Sequence, residues 1–282
     1  MRITVGDITI DAFEESKFCL DGGAMFGIIP KTFWEQETSS DEKNRITLSA
    51  NILLIQGENY KVLIEQGLGD KYTAKEIEIY NIRSIKKQFD FLKEQNVSPN
   101  DITHVILTHL HFDHSGASTY ENESHEIVPS FPNARYFIQR SQLEEASNPH
   151  ERNKGSYKAE TFMPVVESGQ MIFLDRGSEI VPGISTLVTH GHAMGHQVIE
   201  IDIYDFKAVY IGDLIPTANH VNLPWIMGYD LYPSETLEMK KKLLPRYAAE
   251  KRLMFFPHET RFFSGYVLYD EKRDRYRIRK YD

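Results

Sequence analysis

Thr108-His109-Leu110-His111-Phe112-Asp113-His114 is the stretch whose reading decides the rest of the chain. It follows directly on Thr103-His104-Val105-Ile106-Leu107, a short apolar run that reads as a buried strand. His109 and His111 are two apart, so in an extended segment leaving a strand they point the same way and can grip one ion. Asp113 and His114 follow at once, and a reversal of the chain there turns them toward a second ion. Imidazole and carboxylate suit a borderline divalent ion such as zinc, and no cysteine lies nearby to build a thiolate-rich site. A lone histidine is more often a packed or surface residue than a ligand. Three within six positions, beside an aspartate and just after an apolar strand, point to a metal site.

Holding two ions with room left for water takes about six or seven ligands, so more donors are expected elsewhere. They are expected at strand ends. Thr189-His190-Gly191-His192-Ala193-Met194-Gly195-His196 follows the apolar run 184–188, and its glycines let the backbone turn tightly around a ligand. Tyr210-Ile211-Gly212-Asp213 puts a carboxylate just past another buried run, and Phe255-Phe256-Pro257-His258 does the same for a last imidazole.

Around these points the chain alternates strands and helices. Residues 48–56 and 60–64 read as a hairpin joined at Gly57-Glu58-Asn59. Ile82, Ile85, Phe89 and Leu92 recur at helical spacing and predict an amphipathic helix over 82–95, closed by Ser98-Pro99-Asn100. Strands are expected at 135–139, 184–188, 198–203, 208–211 and 253–256, with a helix at about 234–250. No linker or low-complexity segment interrupts the pattern, so residues 1–282 are expected to form a single α/β domain with helices covering paired sheets. The glycine-rich, apolar segment 21–30 has no clear period and reads either as a buried connection or as a loop bordering a pocket.

Composition narrows the function classes. The 282 residues are 41% hydrophobic, and 41 acidic against 32 basic residues give a net charge of -9 with no basic run, which leaves no footprint for nucleic acid. Cys19 is the one cysteine and cannot form an internal disulfide. The N-terminus places acids among its apolar residues where a secretory signal needs a basic and then apolar run, so a cytoplasmic protein is expected. No stretch approaches the roughly 20 apolar residues of a membrane span, so no membrane insertion is expected.

The order H-x-H-x-D-H, G-H-x-x-G-H, G-D and a final His resembles the metallo-β-lactamase superfamily of hydrolases over nearly the whole chain. The resemblance implies a metallo-β-lactamase-like αβ/βα four-layer sandwich, two mixed sheets flanked by helices. It implies that His109, His111 and His192 bind one ion, that Asp113, His114 and His258 bind a second, and that Asp213 bridges them. The cofactor is then two divalent ions, zinc by preference, with manganese, cobalt or iron as alternatives. Asp113 becomes the catalytic group that orients the attacking hydroxide, while His196 is a structural hydrogen-bonding residue. With His258 near the end of the sequence, the flavodoxin-like domain of the superfamily's oxygen-reducing members is not expected.

Finer likeness rests on residues 22–31, Trp34, Asn44-Arg45-Ile46 and residues 51–55, which are similar to the YtnP-like branch associated with quorum-quenching lactonases. That implies opening of an N-acyl-homoserine lactone by a metal-bridged hydroxide, with hydrolysis of phosphotriesters, aryl esters or β-lactams as the alternative. The substrate is then a small molecule with an apolar acyl chain, for which Met25, Phe26, Trp34, Trp225 and Met227 are candidate walls. Two positions depart from the pattern. His190 replaces a common proline and reads as an exposed turn residue, with a group that supports the metal ligands as the alternative. Pro216 stands where several lactonases carry tyrosine, leaving Tyr229 or Tyr232 as replacements. His104, His125, His150 and His220 have no motif around them and read as structural or surface residues. The charged, aromatic tail 266–282 is expected to be a closing strand or a subunit contact, as in a homodimer.

Overall fold

A computed structural model describes residues 1–281. Asp282, with which the tail reading ends, lies outside the described residues. The chain divides into two compact units, one of Met1–Lys17 and Ala50–Gly177, the other of Phe18–Ser49 and Ser178–Asp282.

The first unit is built on a mixed sheet. Strand Ile8–Asp21 and strand Arg45–Gln56, both of which continue into residues of the second unit, lie side by side in it. Arg45–Gln56 turns back through the expected hairpin into Lys61–Ile64. Parallel strands His104–Ile106, Arg135–Gln139 and Met171–Leu174 extend the sheet. Parallel strands are covered on both faces, which is why 105–107 and 136–138 are wholly apolar and buried. Their side chains and those of Leu54, Leu92, Phe131 and Val165 form one core.

The expected helix over 82–95 is corrected. Only Gln88–Glu94 is helical, while Arg83–Ser84 is a short strand on Ile8–Asp21, and the amides of Ile85 and Lys86 both go to the Glu15 carbonyl at 2.9 Å. Ile85 is 51% exposed. Backbone pairing with a neighbouring strand won over a helical spacing that had only Ile82 and Ile85 to support its first turns. A helix at Ala74–Tyr80, which no periodicity announced, has no buried residue and is held by a Thr73–Glu76 capping box.

The second unit carries a seven-stranded mixed sheet: Glu179–Val181, Ile184–Val188, Gln197–Ile203, Phe206–Tyr210, Leu253–Phe255, Ser264–Asp270 and Arg275–Lys280, in that order. All neighbours run antiparallel except Phe206–Tyr210 with Leu253–Phe255, the pair joined by helix Pro233–Ala249. The helix packs Leu243, Leu244 and Tyr247 into a core with Val198, Val209, Met254 and Phe256. The tail closes the sheet as its edge strand. Segment 21–30 begins with a short helix, Gly22–Phe26, ended by Gly27 at φ 56°. A side chain at Gly27 would meet the Ile226 carbonyl at 2.4 Å. Met25 and Phe26 are buried while Ile28 is 86% exposed, so the segment is part core and part surface. No helix among the described residues is long and apolar enough to cross a membrane.

Candidate metal centre

In the first unit the motif leaves strand His104–Ile106 and turns at once into a helical turn, Phe112–Ser115, with His111 at its N-cap. Gln142 takes the Leu110 amide at 3.0 Å, and the Ser115 hydroxyl donates to the Leu110 and His111 carbonyls at 3.2 and 3.1 Å. These bonds fix the reversal that the sequence required. The rings of His109 and His111 are 4.4 Å apart and those of His109 and His114 are 4.0 Å apart. Asp113 Oδ2 is 3.9 Å from His114 Nε2. All four residues are buried.

The hydrogen bonds on the opposite ring nitrogens set which face of each imidazole is available. His109 Nδ1 lies 2.9 Å from the Thr108 hydroxyl. His114 Nδ1 donates to Glu65 Oε2 at 2.6 Å, and Glu65 Oε1 accepts the Thr108 amide at 2.6 Å. Glu65 is buried at φ 69°, a left-handed backbone that is uncommon outside glycine, asparagine and aspartate, and its carboxylate ties both ends of the motif together. His111 packs 4.8 Å from the Tyr157 ring, whose hydroxyl donates to Glu145 at 2.6 Å. Gly116 meets Gly67 and Leu68 so closely that a Cβ there would lie 1.9 Å from the Leu68 carbonyl oxygen, which explains the glycine after the motif.

Beside Asp113 stand two tyrosines that the sequence reading passed over. Tyr72 and Tyr80 flank the Phe112 ring at 6.4 and 5.2 Å, and the Tyr72 hydroxyl is 3.5 Å from the Phe112 carbonyl. Lys158 sits 4.0 Å from the Tyr72 ring centre and pairs with Glu76 at 2.6 Å. Burial first, and then the Asp113 charge, push the Tyr72 phenol well above its ordinary range and keep it protonated.

In the second unit His192, Asp213 and His258 come together from three strand ends. His192 Nε2 lies 3.3 Å from Asp213 Oδ2 and His258 Nε2 3.1 Å from Asp213 Oδ1, all buried. His192 Nδ1 donates to Asp230 at 2.9 Å, and Asp230 accepts the Thr236 hydroxyl at 2.6 Å through its other oxygen. His258 Nδ1 donates to the Ser49 carbonyl at 2.8 Å. Because those partners only accept, each Nδ1 carries the proton, and in the neutral ring each Nε2 presents a lone pair to a carboxylate oxygen. Lone pair against carboxylate at such distances is repulsive unless a cation lies between them. The donor set therefore fits a divalent ion, with the tautomers fixed as metal-ligating histidines need them.

His196 behaves as expected of a structural residue: its Nδ1 meets the Thr189 hydroxyl at 2.6 Å and its Nε2 accepts the Asp213 amide at 3.0 Å, which aims that carboxylate. Half-buried His190, at φ 49°, accepts the Gly195 amide at 3.0 Å and so closes the turn that carries His192. A side chain at Gly191 would meet the Thr236 hydroxyl at 2.4 Å. The Pro216 carbonyl accepts the His258 amide at 3.0 Å. His220 is wholly buried and stacks on Phe26 at 4.9 Å, which stacks in turn on Trp34 at 5.2 Å. Burial above all lowers the His220 pKa to about 4, so the ring is neutral and donates from Nε2 to the Met25 carbonyl at 2.8 Å. Of the proposed acyl walls, Met25, Phe26, Trp34 and Met227 are at most 4% exposed and pack the interior, while Trp225 is half-buried.

A two-sheet fold with one contiguous and one dispersed set of histidines and carboxylates defines a class of metalloproteins. The Metallo-beta-lactamase superfamily model matches residues 45–258, which include all seven donors, and the chain belongs to that superfamily. The N-acyl homoserine lactonase of Bacillus thuringiensis is 27% identical over 186 residues, 63% of this chain and 66% of its own length. The alignment thus spans just under two thirds of that relative. The N-acyl homoserine lactonase AttM of Agrobacterium fabrum is 28% identical over 169 residues, 57% of this chain and 59% of its own. Among solved structures, a probable metal-dependent hydrolase from Staphylococcus aureus is 30% identical, with a TM-score of 0.88 over 99% of this chain and 100% of that one. AidC, a dizinc quorum-quenching lactonase, shares the fold with a TM-score of 0.80 at 19% identity over 100% of this chain and 97% of its own.

Proposed function

We propose that the chain is a dinuclear metal-dependent hydrolase that opens N-acyl-homoserine lactones. The observation that carries this reading is the pair of imidazole lone pairs facing the two oxygens of Asp213 in the second unit. His109, His111 and His192 would hold one divalent ion, Asp113, His114 and His258 the other, and Asp213 would be shared. When bound, the ions lower the pKa of a shared water toward neutrality and polarise the substrate carbonyl. Zinc suits the donor set.

The chain's own groups then divide the work. Glu65 and Asp230 hold His114 and His192 in the ligating tautomer and orientation. The Asp113 carboxylate orients the attacking water and hands the proton it takes up to the leaving alkoxide oxygen. Tyr72, kept neutral, is a hydrogen-bond donor on the Asp113 side of the first unit. The lactone reading itself is supported by the relatives named as lactonases and by residues 22–31, Trp34, 44–46 and 51–55 of the sequence.

A substrate panel on the metal-replete protein tests the proposal. The expected result is a kcat/KM for a homoserine lactone at least about tenfold above those for an aryl phosphotriester, an aryl ester and a cephalosporin. Equal or greater turnover of any of the last three sinks the lactonase reading and leaves the metallohydrolase reading standing. Fewer than one bound divalent ion per chain after purification without chelator sinks both.

A further inference from the structure

Residues 222–232 of the second unit form neither helix nor strand, so their backbone groups must find partners elsewhere. At the start of this segment the carbonyls of Asn222, Leu223 and Trp225 all accept from the Lys240 ammonium, at 2.6, 3.3 and 2.9 Å. In its middle the Gly228 amide donates to the Ala24 carbonyl at 2.8 Å. At its end the Leu231 and Tyr232 amides donate to the carbonyls of His192 and Gly191 at 3.1 and 2.8 Å, and Asp230 accepts from His192 Nδ1. The segment is a strap, tied at one end to a lysine and at the other to the turn that carries a metal donor.

Lys240 is wholly buried, and burying an ammonium is costly unless its hydrogen bonds are made. Among the described residues no carboxylate pairs with it; the three strap carbonyls take up its three donors. The charge that attracts it is that of Asp230, itself buried. Thr236 and Lys240 are four apart and share the buried face of helix Pro233–Ala249. The Thr236 hydroxyl holds the Asp230 carboxylate at 2.6 Å, and one turn later Lys240 holds the strap backbone. One helix face therefore fixes both ends of the strap. An apolar side chain at position 240 would avoid the cost of burying a charge but would leave three carbonyls without a donor.

We infer that Lys240 is a positioning residue of the metal centre, anchoring the strap 222–232 so that Asp230 meets His192 in the orientation and tautomer that ligation needs. It makes no hydrogen bond to a proposed ligand and acts through Asp230. The inference rests on the metal-centre reading of the proposed function and is independent of which substrate the centre hydrolyses.

Stepwise cobalt titration of the full chain, followed by absorption, tests it as a double-mutant cycle. Lys240→Met keeps an unbranched side chain and removes all three donors; it should weaken the ion held by His192 about tenfold and leave the other within about twofold of the parent. The same substitution in an Asp230→Ala background should cost less than about threefold, because the route it acts through is gone. Tyr247→Ala, which opens a cavity two turns further along the same helix face, should lower the melting temperature and leave both affinities unchanged. Lys240→Gln keeps two N–H donors and takes the place of the methionine variant in the cycle should that one not fold. Unchanged cobalt affinity in Lys240→Met, or equal weakening of both ions, would overturn the inference and leave the metal reading standing. So would a full tenfold cost in the Asp230→Ala background, or the same selective loss in Tyr247→Ala. A parent chain that takes up no cobalt overturns both.

Discussion

The two units reach the same kind of donor set by opposite routes. The first takes His109, His111, Asp113 and His114 from one strand-to-helix junction, so a single backbone reversal places four groups. The second takes His192, Asp213 and His258 from the ends of three strands, and each depends on its own turn. A contiguous set is fixed by local geometry, whereas a dispersed one is only as good as the sheet register that aligns it. Yet both end in the same device, a buried carboxylate on the Nδ1 of one histidine: Glu65 on His114 and Asp230 on His192.

The largest effect is expected where the dispersed set converges. Asp213 faces two imidazoles, so Asp213→Ala should remove both ions and lower turnover by on the order of a thousandfold or more. His111→Ala, which removes one donor of the contiguous set, should leave about one ion per chain with turnover also severely reduced. Metal analysis with kcat/KM for the lactone checks both. Two ions retained by Asp213→Ala would break the view that it is the shared donor.

Next come the supporting carboxylates, which put the likeness of the two units to the test. Glu65→Ala leaves His114 Nδ1 and the Thr108 amide without their acceptor, and Asp230→Ala does the same to His192 Nδ1 and the Thr236 hydroxyl. Each should cost about 10- to 100-fold in metal affinity, but for different ions: the His114 ion in the first variant and the His192 ion in the second. Stepwise cobalt titration followed by absorption separates the two. If both variants weaken the same step, the assignment of one ion to each histidine group is wrong.

How much of this was legible in the sequence follows the same division. His109 to His114 announce themselves because period-two spacing after an apolar strand is a local signal, and the strand at 104–106 and the hairpin before it lie where alternation put them. His192, Asp213 and His258 were legible only as members of an ordered series, since each alone is an ordinary residue after an apolar run. Glu65 and Asp230 were not legible at all. They act on partners 49 and 38 residues away, and nothing in a neighbouring sequence marks a carboxylate that will meet a distant ring. The helix at 82–95 failed for the same reason in reverse: the Glu15 carbonyl, far off in sequence, captured two amides that a helix needed.

A smaller effect is expected from Tyr72, which lies in the first unit while the departure at Pro216 lies in the second. Tyr72→Phe should lower kcat roughly tenfold and leave metal content unchanged, as loss of one donated hydrogen bond would. An unchanged kcat would exclude the phenol from the reaction and return attention to Tyr229 and Tyr232.

The smallest effect contrasts the buried charges of the two units. Glu15 in the first is 3% exposed, and burial above all raises its pKa to about 7. Lys240 in the second is fully buried, and burial lowers its pKa to about 7. Between pH 5 and 7 the unfolded Glu15 has lost its proton while the folded one keeps it, so its contribution to stability falls as pH rises. Between pH 7 and 9 the unfolded Lys240 holds a proton that the folded one has released, so its contribution rises with pH. Glu15→Gln should therefore gain stability over the parent by about 3 kcal/mol from pH 5 to 7 and no more above it. Lys240→Met should lose about the same relative to the parent from pH 7 to 9, and show no pH-dependent difference below pH 7. Urea denaturation at pH 5, 7 and 9 reads both slopes. Slopes of the same sign in the two variants would mean that one of the groups is not buried alone, and the loop it holds, 67–69 for Glu15 or 222–225 for Lys240, would then need a charged partner to account for it.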